Sequence, residues 1–313
     1  MPLPAALAKN LALPVIGAPM FIVSTPELVL AQCRAGIIGA FPALNARPGE
    51  KLAAWLAALN EALAAAPQAA PYAVNLIVHP TNERLADDLA CCIEHRVPLV
   101  ITSLGSPSAI VPQVHAYGGL VFHDVTTVRH AEKALETGVD GLILVAAGAG
   151  GHGGTLSPFA LLAEVRRFFN GPLALAGAIT NGRQILAALA LGADCAYIGT
   201  RFIATQEANA SDAYKQALLA ASSADIVYTP YFTGVPGNYL KSSIVVAGLD
   251  PDKLPSGHGP KLEFARANDG AKAWRDIWGA GQGVGTIDDV PTTAALIERL
   301  KSEFQTAREA LCG

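Results

Sequence analysis

The chain has 313 residues, of which 51% are apolar and 15% are charged, and its formal net charge is −4. This composition excludes a disordered chain and suffices for a large core, so one barrel of about 250 residues with a modest insertion is expected. No cluster or stripe of Lys and Arg occurs, which argues against a nucleic-acid partner. Because no signal segment and no apolar run of membrane length is visible, a cytoplasmic protein without a membrane partner is expected.

Cysteine and histidine spacing indicates neither a disulfide framework nor a metal site. The five cysteines are odd in number and form no C-x-x-C pair, so they are expected to be reduced and mostly buried. No H-E-x-x-H or comparable histidine spacing occurs, and we predict no metal site.

Eight short apolar runs recur along the chain, each followed by a segment that can form a helix. They begin near residues 14, 36, 71, 98, 119, 140, 172 and 194. This alternation predicts a (β/α)8 TIM barrel, an α/β fold whose parallel strands are buried on both faces. A doubly wound open sheet is the alternative, but no G-x-G-x-x-G follows the first strand.

The first and third runs carry residues that could contact a ligand. Ala18, Pro19 and Met20 end the first run, where a stiffened turn could press against a ring or could simply be a tight turn. Asn75 is a polar residue within the third run, and a buried amide without partners costs about 1–3 kcal/mol. We expect it to satisfy a neighbouring backbone group or, as we favour, to hydrogen-bond a ligand.

The fifth run ends in two polar residues, His123 and Asp124. The pair could take part in chemistry at the barrel mouth. A histidine at the end of a strand is, however, as often a satisfied core residue, and the residue types alone leave both interpretations open.

The sixth run leads into the most glycine-rich segment of the chain, in which His152 is flanked by Gly148, Gly150, Gly151, Gly153 and Gly154. So many glycines predict positive φ angles or a close approach of the backbone to a flat ligand. The alternative is a flexible loop with a surface histidine. Flexibility alone would not require an apolar strand that leads into the loop, so we favour a binding segment.

The last two runs end in small residues, among them Gly177, Ala178, Gly199 and Thr200, and each turns directly toward a helix. Such turns expose backbone N–H groups that suit a phosphate. In TIM barrels the phosphate commonly binds after the seventh and eighth strands. The chain is therefore expected to bind a phosphorylated cofactor.

The strand–helix repeat stops after residue 205. We predict a barrel of residues 1–206, a smaller and mainly helical insertion of residues 207–275, and barrel completion with a closing helix in residues 276–313. The insertion includes an aromatic stretch from Tyr228 to Tyr239. This stretch could cover a substrate, as we favour, or simply pack the insertion.

Residues 147–154, 177–183 and 199–205 resemble the nitronate monooxygenase family, formerly called 2-nitropropane dioxygenases. The resemblance extends to residues 18–20, Asn75 and residues 280–283, in the same order over nearly the whole chain. It implies a barrel that holds FMN noncovalently and has a small inserted domain. One position departs from the pattern, because many relatives have Lys where this chain has Asp124.

The resemblance also implies individual roles, of which the main one is His152 as catalytic base. The predicted cofactor contacts are Ala18, Pro19, Met20, Asn75, Ala149, Gly150, Gly151, Gly177, Ala178, Gly199, Thr200, Gln282 and Gly283. The predicted substrate contacts are Met20, His123, His152 and Tyr231.

The resemblance predicts FMN-dependent oxidation of alkyl nitronates, extending to nitroalkanes, by O2 to a carbonyl compound and nitrite. An imidazole with a pKa near 6.5 can take a proton from the carbon beside a nitro group. One alternative is an NAD(P)H-dependent flavin reductase of quinones or enoyl thioesters, since the same superfamily contains such enzymes. Another is a noncatalytic flavin-binding barrel. The sequence does not predict the oligomeric state.

Overall fold

The computed structural model describes residues 3–49, 51–255 and 275–312. One sequence prediction falls partly outside these residues, because the far end of the predicted insertion, residues 256–274, is not among them.

Eight parallel strands form a nearly closed barrel, which confirms the predicted fold. They are β1 Val15–Gly17, β2 Gly39–Pro42, β3 Tyr72–Ile77, β4 Leu99–Ser103, β5 Leu120–Val125, β6 Gly141–Val145, β8 Leu173–Ala176 and β9 Cys195–Ile198. The strand order is β1-β9-β8-β6-β5-β4-β3-β2, and a parallel bridge between Ile16 and Ile38 joins the first strand to the last. The carboxyl ends of all eight strands therefore surround one mouth.

Helices precede the first strand, connect the barrel strands on the outside of the barrel, and continue through the insertion. They are α1 Ala5–Ala8, α2 Pro26–Arg34, α3 Lys51–Ala64, α4 Leu85–Glu94, α5 Val111–Ala116, α6 Val128–Leu135, α7 Pro158–Arg166, α8 Gly182–Ala190, α9 Thr200–Ile203, α10 Asp212–Leu219, α11 Lys241–Val246 and α12 Thr293–Cys312. The closing helix α12 packs against α8 and α2, so it completes the helical layer. Within the described ranges, no helix combines the length and apolarity that a membrane span requires.

Alternation along the strands sorts their side chains into two apolar clusters. Ala73, Ile101 and Phe122 belong to the cluster inside the barrel, whereas Val74, Val100 and Val121 pack against the helices. Successive side chains on a strand point to opposite faces. Asn75, Ser103 and Asp124 each lie two residues beyond an inner residue, so they continue the interior toward the mouth.

The insertion contributes a hairpin in addition to helices. β10 Ile226–Thr229 and β11 Gly237–Leu240 are antiparallel, and β11 also pairs with the short strand β7 Gly151–His152. Sequence analysis predicted α-helical pieces here but missed this three-stranded sheet. Pro230, Pro236 and two glycines within the stretch favour a loop, and the strand partner β7 comes from the barrel rather than from the insertion.

Candidate active site

A cavity of about 1180 Å³ opens at the carboxyl ends of the barrel strands. Residues that lie within or directly after different strands line it, among them Ala18, Asn75, Asp124, Gly177 and Gly199. Ligand pockets are typically about 300–1,000 Å³, and TIM-barrel enzymes carry their active sites at this face. The cavity is therefore the candidate active site.

The structure brings nearly all the predicted cofactor residues to this cavity. Gln282 differs from the others, because among the described residues its neighbours Gly281 and Gly283 line the cavity and it does not. The Gln282 side chain is exposed, and its backbone N–H donates a hydrogen bond of 2.9 Å to the carbonyl of Gly148. It therefore joins the cavity wall to the glycine segment from outside.

The predicted substrate residues are divided between the cavity and the insertion. Met20, His123 and His152 line the cavity. Tyr231 instead packs edge-on against Phe232, with ring centroids 5.2 Å apart, and it is absent from the cavity lining in the described part of the chain. The tyrosine of this hairpin that reaches the cavity is Tyr228.

Three backbone segments converge beside the ends of β8 and β9. The hydroxyl of Thr200 accepts a hydrogen bond of 2.9 Å from the N–H of Gly281. A Cβ at Gly150 would lie 2.7 Å from the Gly281 nitrogen and 2.9 Å from the Thr200 hydroxyl oxygen. Because these distances are shorter than real Cβ contacts, only glycine permits this approach.

Positive φ angles occur where the glycine content predicts them. Gly148 has a φ of 85°, Gly151 of 68° and Gly177 of 141°. Ala178 follows with a φ of 53°, which is uncommon for a residue that has a Cβ. Its N–H donates to the Gly148 carbonyl at 3.3 Å, so this turn is tied to the segment that carries His152.

The segment around His152 is a strand with fixed partners rather than a flexible loop. His152 lies opposite Gly237 of β11, and Gly151 lies opposite Asn238. The buried Asn238 amide donates a 2.6 Å hydrogen bond to the Ala149 carbonyl, and the Tyr228 hydroxyl donates to the Gly153 carbonyl at 2.9 Å. The hairpin therefore holds the histidine in place.

The hydrogen bonds around His152 favour one tautomer of its ring. Its Nε2 lies 2.9 Å from the Thr233 hydroxyl oxygen, and that hydroxyl donates to the Val235 carbonyl at 2.9 Å. When the single proton of this hydroxyl is directed to Val235, Thr233 accepts the Nε2–H, and this arrangement favours the tautomer with its lone pair on Nδ1. Burial lowers the pKa of His152 to about 4, so the ring is neutral at neutral pH.

His123 and Asp124 point to opposite faces of β5. His123 Nδ1 lies 2.8 Å from the Thr102 hydroxyl oxygen, and burial, assisted by the charge of His130, lowers the pKa of His123 to about 4. It is thus a buried, hydrogen-bonded histidine that also borders the cavity. A substrate contact of His123 stays a prediction.

Asp124 points into the barrel interior. Its Oδ1 is inaccessible to solvent and has no hydrogen-bond partner among the described residues. Burial raises the pKa of this carboxyl to about 7. Tyr197 lies on β9. Its pKa is raised well above the ordinary value, mainly by burial and next by the negative charge of the Asp124 carboxylate, so the two side chains interact electrostatically.

Asn75 lines the cavity and is oriented by the neighbouring strand. Its Nδ2 donates to the Ile101 carbonyl at 3.2 Å and to the Ser103 hydroxyl at 3.1 Å. Both hydrogen bonds of the amide nitrogen therefore go to acceptors on β4. The carbonyl oxygen is the acceptor that a ligand N–H can use.

Sequence reasoning missed Thr233 and Asn238, although both position the segment of His152. Thr233 lies 81 residues from His152, and Asn238 lies 89 residues from Ala149. Neither residue belongs to a recognisable motif. Their roles depend on the pairing of β11 with β7, which no spacing in the sequence indicates.

Comparison with known proteins gives consistent matches over the barrel. The profile of the nitronate monooxygenase family matches residues 68–303. The nitronate monooxygenase of Paraburkholderia phytofirmans is 28% identical, and the match covers 95% of this chain and 94% of that protein. A Mycobacterium tuberculosis relative is 32% identical, but its match covers 67% of this chain and 60% of that protein.

Two solved structures are similar over nearly the whole chain. Nitroalkane oxidase from Streptomyces ansochromogenes has a TM-score of 0.82 at 26% identity, with 98% of this chain and 100% of that chain covered. FabK from Thermotoga maritima has a TM-score of 0.78 at 26% identity, with 98% and 97% covered.

Proposed function

Since the chain belongs to the nitronate monooxygenase family, whose members are flavin-dependent oxidoreductases, we propose that it binds FMN and oxidises alkyl nitronates with O2. The products would be a carbonyl compound and nitrite. The observation that carries this proposal is His152, which is held beside the cavity by the Thr233 hydroxyl at 2.9 Å.

The residues of the cavity fit a flavin mononucleotide. On one side, backbone from β8, β9 and residues 281–283 presents small residues and leaves room for a phosphate. A Cβ at Gly199 would lie 3.4 Å from the Ala18 Cβ and 3.6 Å from the Met20 sulfur, so glycine leaves this part of the cavity wall without a side chain. Gly177, Gly199 and Thr200 would hold the phosphate, and the Asn75 carbonyl would accept a hydrogen bond from the ring.

The protein would supply orientation, water exclusion and one proton-accepting group. Bound FMN would supply the redox chemistry, taking electrons from the nitronate and passing them to O2. His152 is in the neutral form that can accept a proton on Nδ1, and the Thr233 hydroxyl holds the ring in that tautomer.

A nitronate and a nitroalkane make different demands on His152. A nitroalkane must lose the proton of the carbon beside the nitro group, and the imidazole would take it on Nδ1. The imidazolium that results would donate a hydrogen bond to the nitronate anion. A nitronate enters without that proton, so its oxidation would depend less on His152 as a base.

The direct test is turnover by the FMN-loaded protein. With propyl-2-nitronate under air, we expect O2 consumption and nitrite release. Protein that retains its flavin but shows neither would overturn the proposed activity, and heat-inactivated protein with free FMN is the control for spontaneous oxidation of the nitronate.

A second candidate is an NAD(P)H-dependent flavin reductase of quinones or enoyl thioesters. The similarity to FabK, an enoyl reductase, at a TM-score of 0.78 supports it. Rapid bleaching of the flavin by NADH or NADPH without O2, followed by recolouring with a quinone or an enoyl thioester, would select this activity. A flavin that stays oxidised under these conditions would exclude it.

A further inference from the structure

Asp124 lines the cavity, and one oxygen of its carboxyl group has no hydrogen-bond partner among the described residues. Its Oδ1 is shielded from solvent and unpaired among the described residues, while the side chain borders the cavity. A buried acceptor or donor left without a partner costs about 1–3 kcal/mol. Such a group is expected to find its partner in the molecule that fills the cavity.

The surroundings of Asp124 favour the neutral acid. Its neighbour in the β5–β6 register is Ile143, and none of the ion pairs found in the described ranges involves Asp124. Tyr197 faces it across the interior, and His123, His130, Lys133 and His152 also line the cavity. Burial is the cause that raises the pKa of Asp124 to about 7, so the acid keeps its proton at and below neutral pH.

The position of Asp124 points to the ring of the cofactor rather than to its phosphate. The small-residue segments that would hold the phosphate follow β8 and β9, and β6 separates β5 from β8 in the sheet. On the same interior surface as Asp124 lie Asn75 and Ser103, which hydrogen-bond each other at 3.1 Å. The wall of the cavity is thus polar on the side away from the segments that would hold the phosphate.

We propose that Asp124 retains its proton when the flavin is bound and donates it in a hydrogen bond to an acceptor atom of the flavin ring. FMN binding is then coupled to protonation of Asp124. Ionisation of the carboxyl would remove the donor and add a negative charge to the cavity wall, so the affinity for the flavin would fall as the pH rises. This inference rests on the proposed function insofar as it requires a bound flavin.

The test compares two flavins and three proteins. Flavin-stripped full-length wild type, Asp124→Asn and Asp124→Ala are titrated with riboflavin and with FMN between pH 6 and pH 9, and quenching of flavin fluorescence gives the affinity. Asp124→Asn keeps the shape and a donor but does not titrate. The histidines and Lys133 are present in all three proteins, so their titration cancels in the comparison.

For wild type we expect the affinity for both flavins to fall above pH 7, approaching tenfold for each pH unit. Asp124→Asn should bind riboflavin equally well over the range, and Asp124→Ala should bind it several-fold more weakly than Asp124→Asn. Thermal melting at pH 6 checks that all three proteins are folded.

Three results would overturn the inference. Equal pH dependence in wild type and Asp124→Asn would show that another group titrates. A difference seen with FMN but not with riboflavin would place Asp124 at the phosphate. If neither flavin binds to any of the proteins, the proposed function is wrong as well. If wild type binds flavin with an affinity that does not depend on pH, only the role inferred for Asp124 is wrong.

Discussion

The Nε2 of His152 lies 2.9 Å from the hydroxyl oxygen of Thr233, which belongs to the inserted hairpin rather than to the barrel. Thr233 also donates to the Val235 carbonyl, and with its single proton used there the histidine is the donor. The insertion therefore favours Nδ1 as the nitrogen of the barrel histidine that can act as a base.

Replacing Thr233 by Val should impair proton abstraction more than nitronate oxidation. The variant keeps the shape of the side chain but removes the acceptor of the Nε2–H, so the neutral ring can adopt either tautomer. We expect kcat with a nitroalkane to fall roughly tenfold, as is reasonable for a modest part of the general-base contribution. Steady-state kinetics with 2-nitropropane and with propyl-2-nitronate measure the loss of kcat on each substrate. Thr233→Ser is the matched control and should restore the nitroalkane activity; equal losses on both substrates would contradict the tautomer argument.

Replacing His152 by Ala should depress the chemical step with nitroalkanes roughly 10²–10⁴-fold. FMN should remain bound, because the proposed phosphate contacts follow β8 and β9. For wild type, the pKa of about 4 implies that kcat/KM with a nitroalkane is constant near neutrality and falls as the pH drops through 4, where the base becomes protonated. Activity against pH, together with the flavin absorbance of the variant, measures both effects. A variant that keeps full nitroalkane activity would remove His152 from the mechanism.

Replacing Gly150 by Ala should weaken FMN binding. The new Cβ would lie 2.7 Å from the backbone nitrogen of Gly281, so residues 148–150 and 281 must separate. We expect a loss of at least tenfold in FMN affinity, measured by fluorescence titration. Gly285→Ala is the control, because its nearest contact would be an ordinary 3.4 Å to the Ser222 Cα. Unchanged FMN affinity in Gly150→Ala would show that the close contact between Gly150 and Gly281 is not required for cofactor binding.

Replacing Asp124 by Asn should change how stability depends on pH in the flavin-free protein. The folded pKa of about 7 exceeds the ordinary 3.8, so between these values the folded chain binds the proton more tightly than the unfolded chain. The contribution of Asp124 to stability is complete below pH 3.8 and is lost as the pH rises through 7. Relative to the variant, wild type should lose up to about 1.4 kcal/mol of unfolding free energy for each pH unit in this window. Urea unfolding at pH 5, 6, 7 and 8 tests this, and parallel curves for the two proteins would show that the carboxyl is not buried as described.

The barrel was predictable because its signal is local. Each strand is an apolar run such as residues 141–145, and helix starts such as Thr25-Pro26 follow the propensities of single residues. The glycine segment was also visible, since Gly148 and Gly151 are required by backbone angles that residues with a Cβ rarely adopt.

Hydrogen bonds between distant segments were beyond sequence reasoning. Thr233 is the partner of His152, and Asn238 is the partner of Ala149. Both partners come from a hairpin whose pairing with β7 depends on the folded barrel. The aromatic stretch was interpreted as a lid or as packing. In the structure Tyr231 packs against Phe232, and Tyr228 lines the cavity and also hydrogen-bonds the Gly153 carbonyl beside the histidine. A covering role over the substrate stays a prediction.

By itself, the sequence determined the eight strands, their order and the small residues at their carboxyl ends, because periodicity and glycine content are properties of neighbouring residues. Only the tertiary structure decided which tautomer of His152 is favoured and how far the pKa of Asp124 is raised. Both depend on which groups meet across the barrel mouth and on how much water remains around them. That information arises when segments far apart in the chain come together.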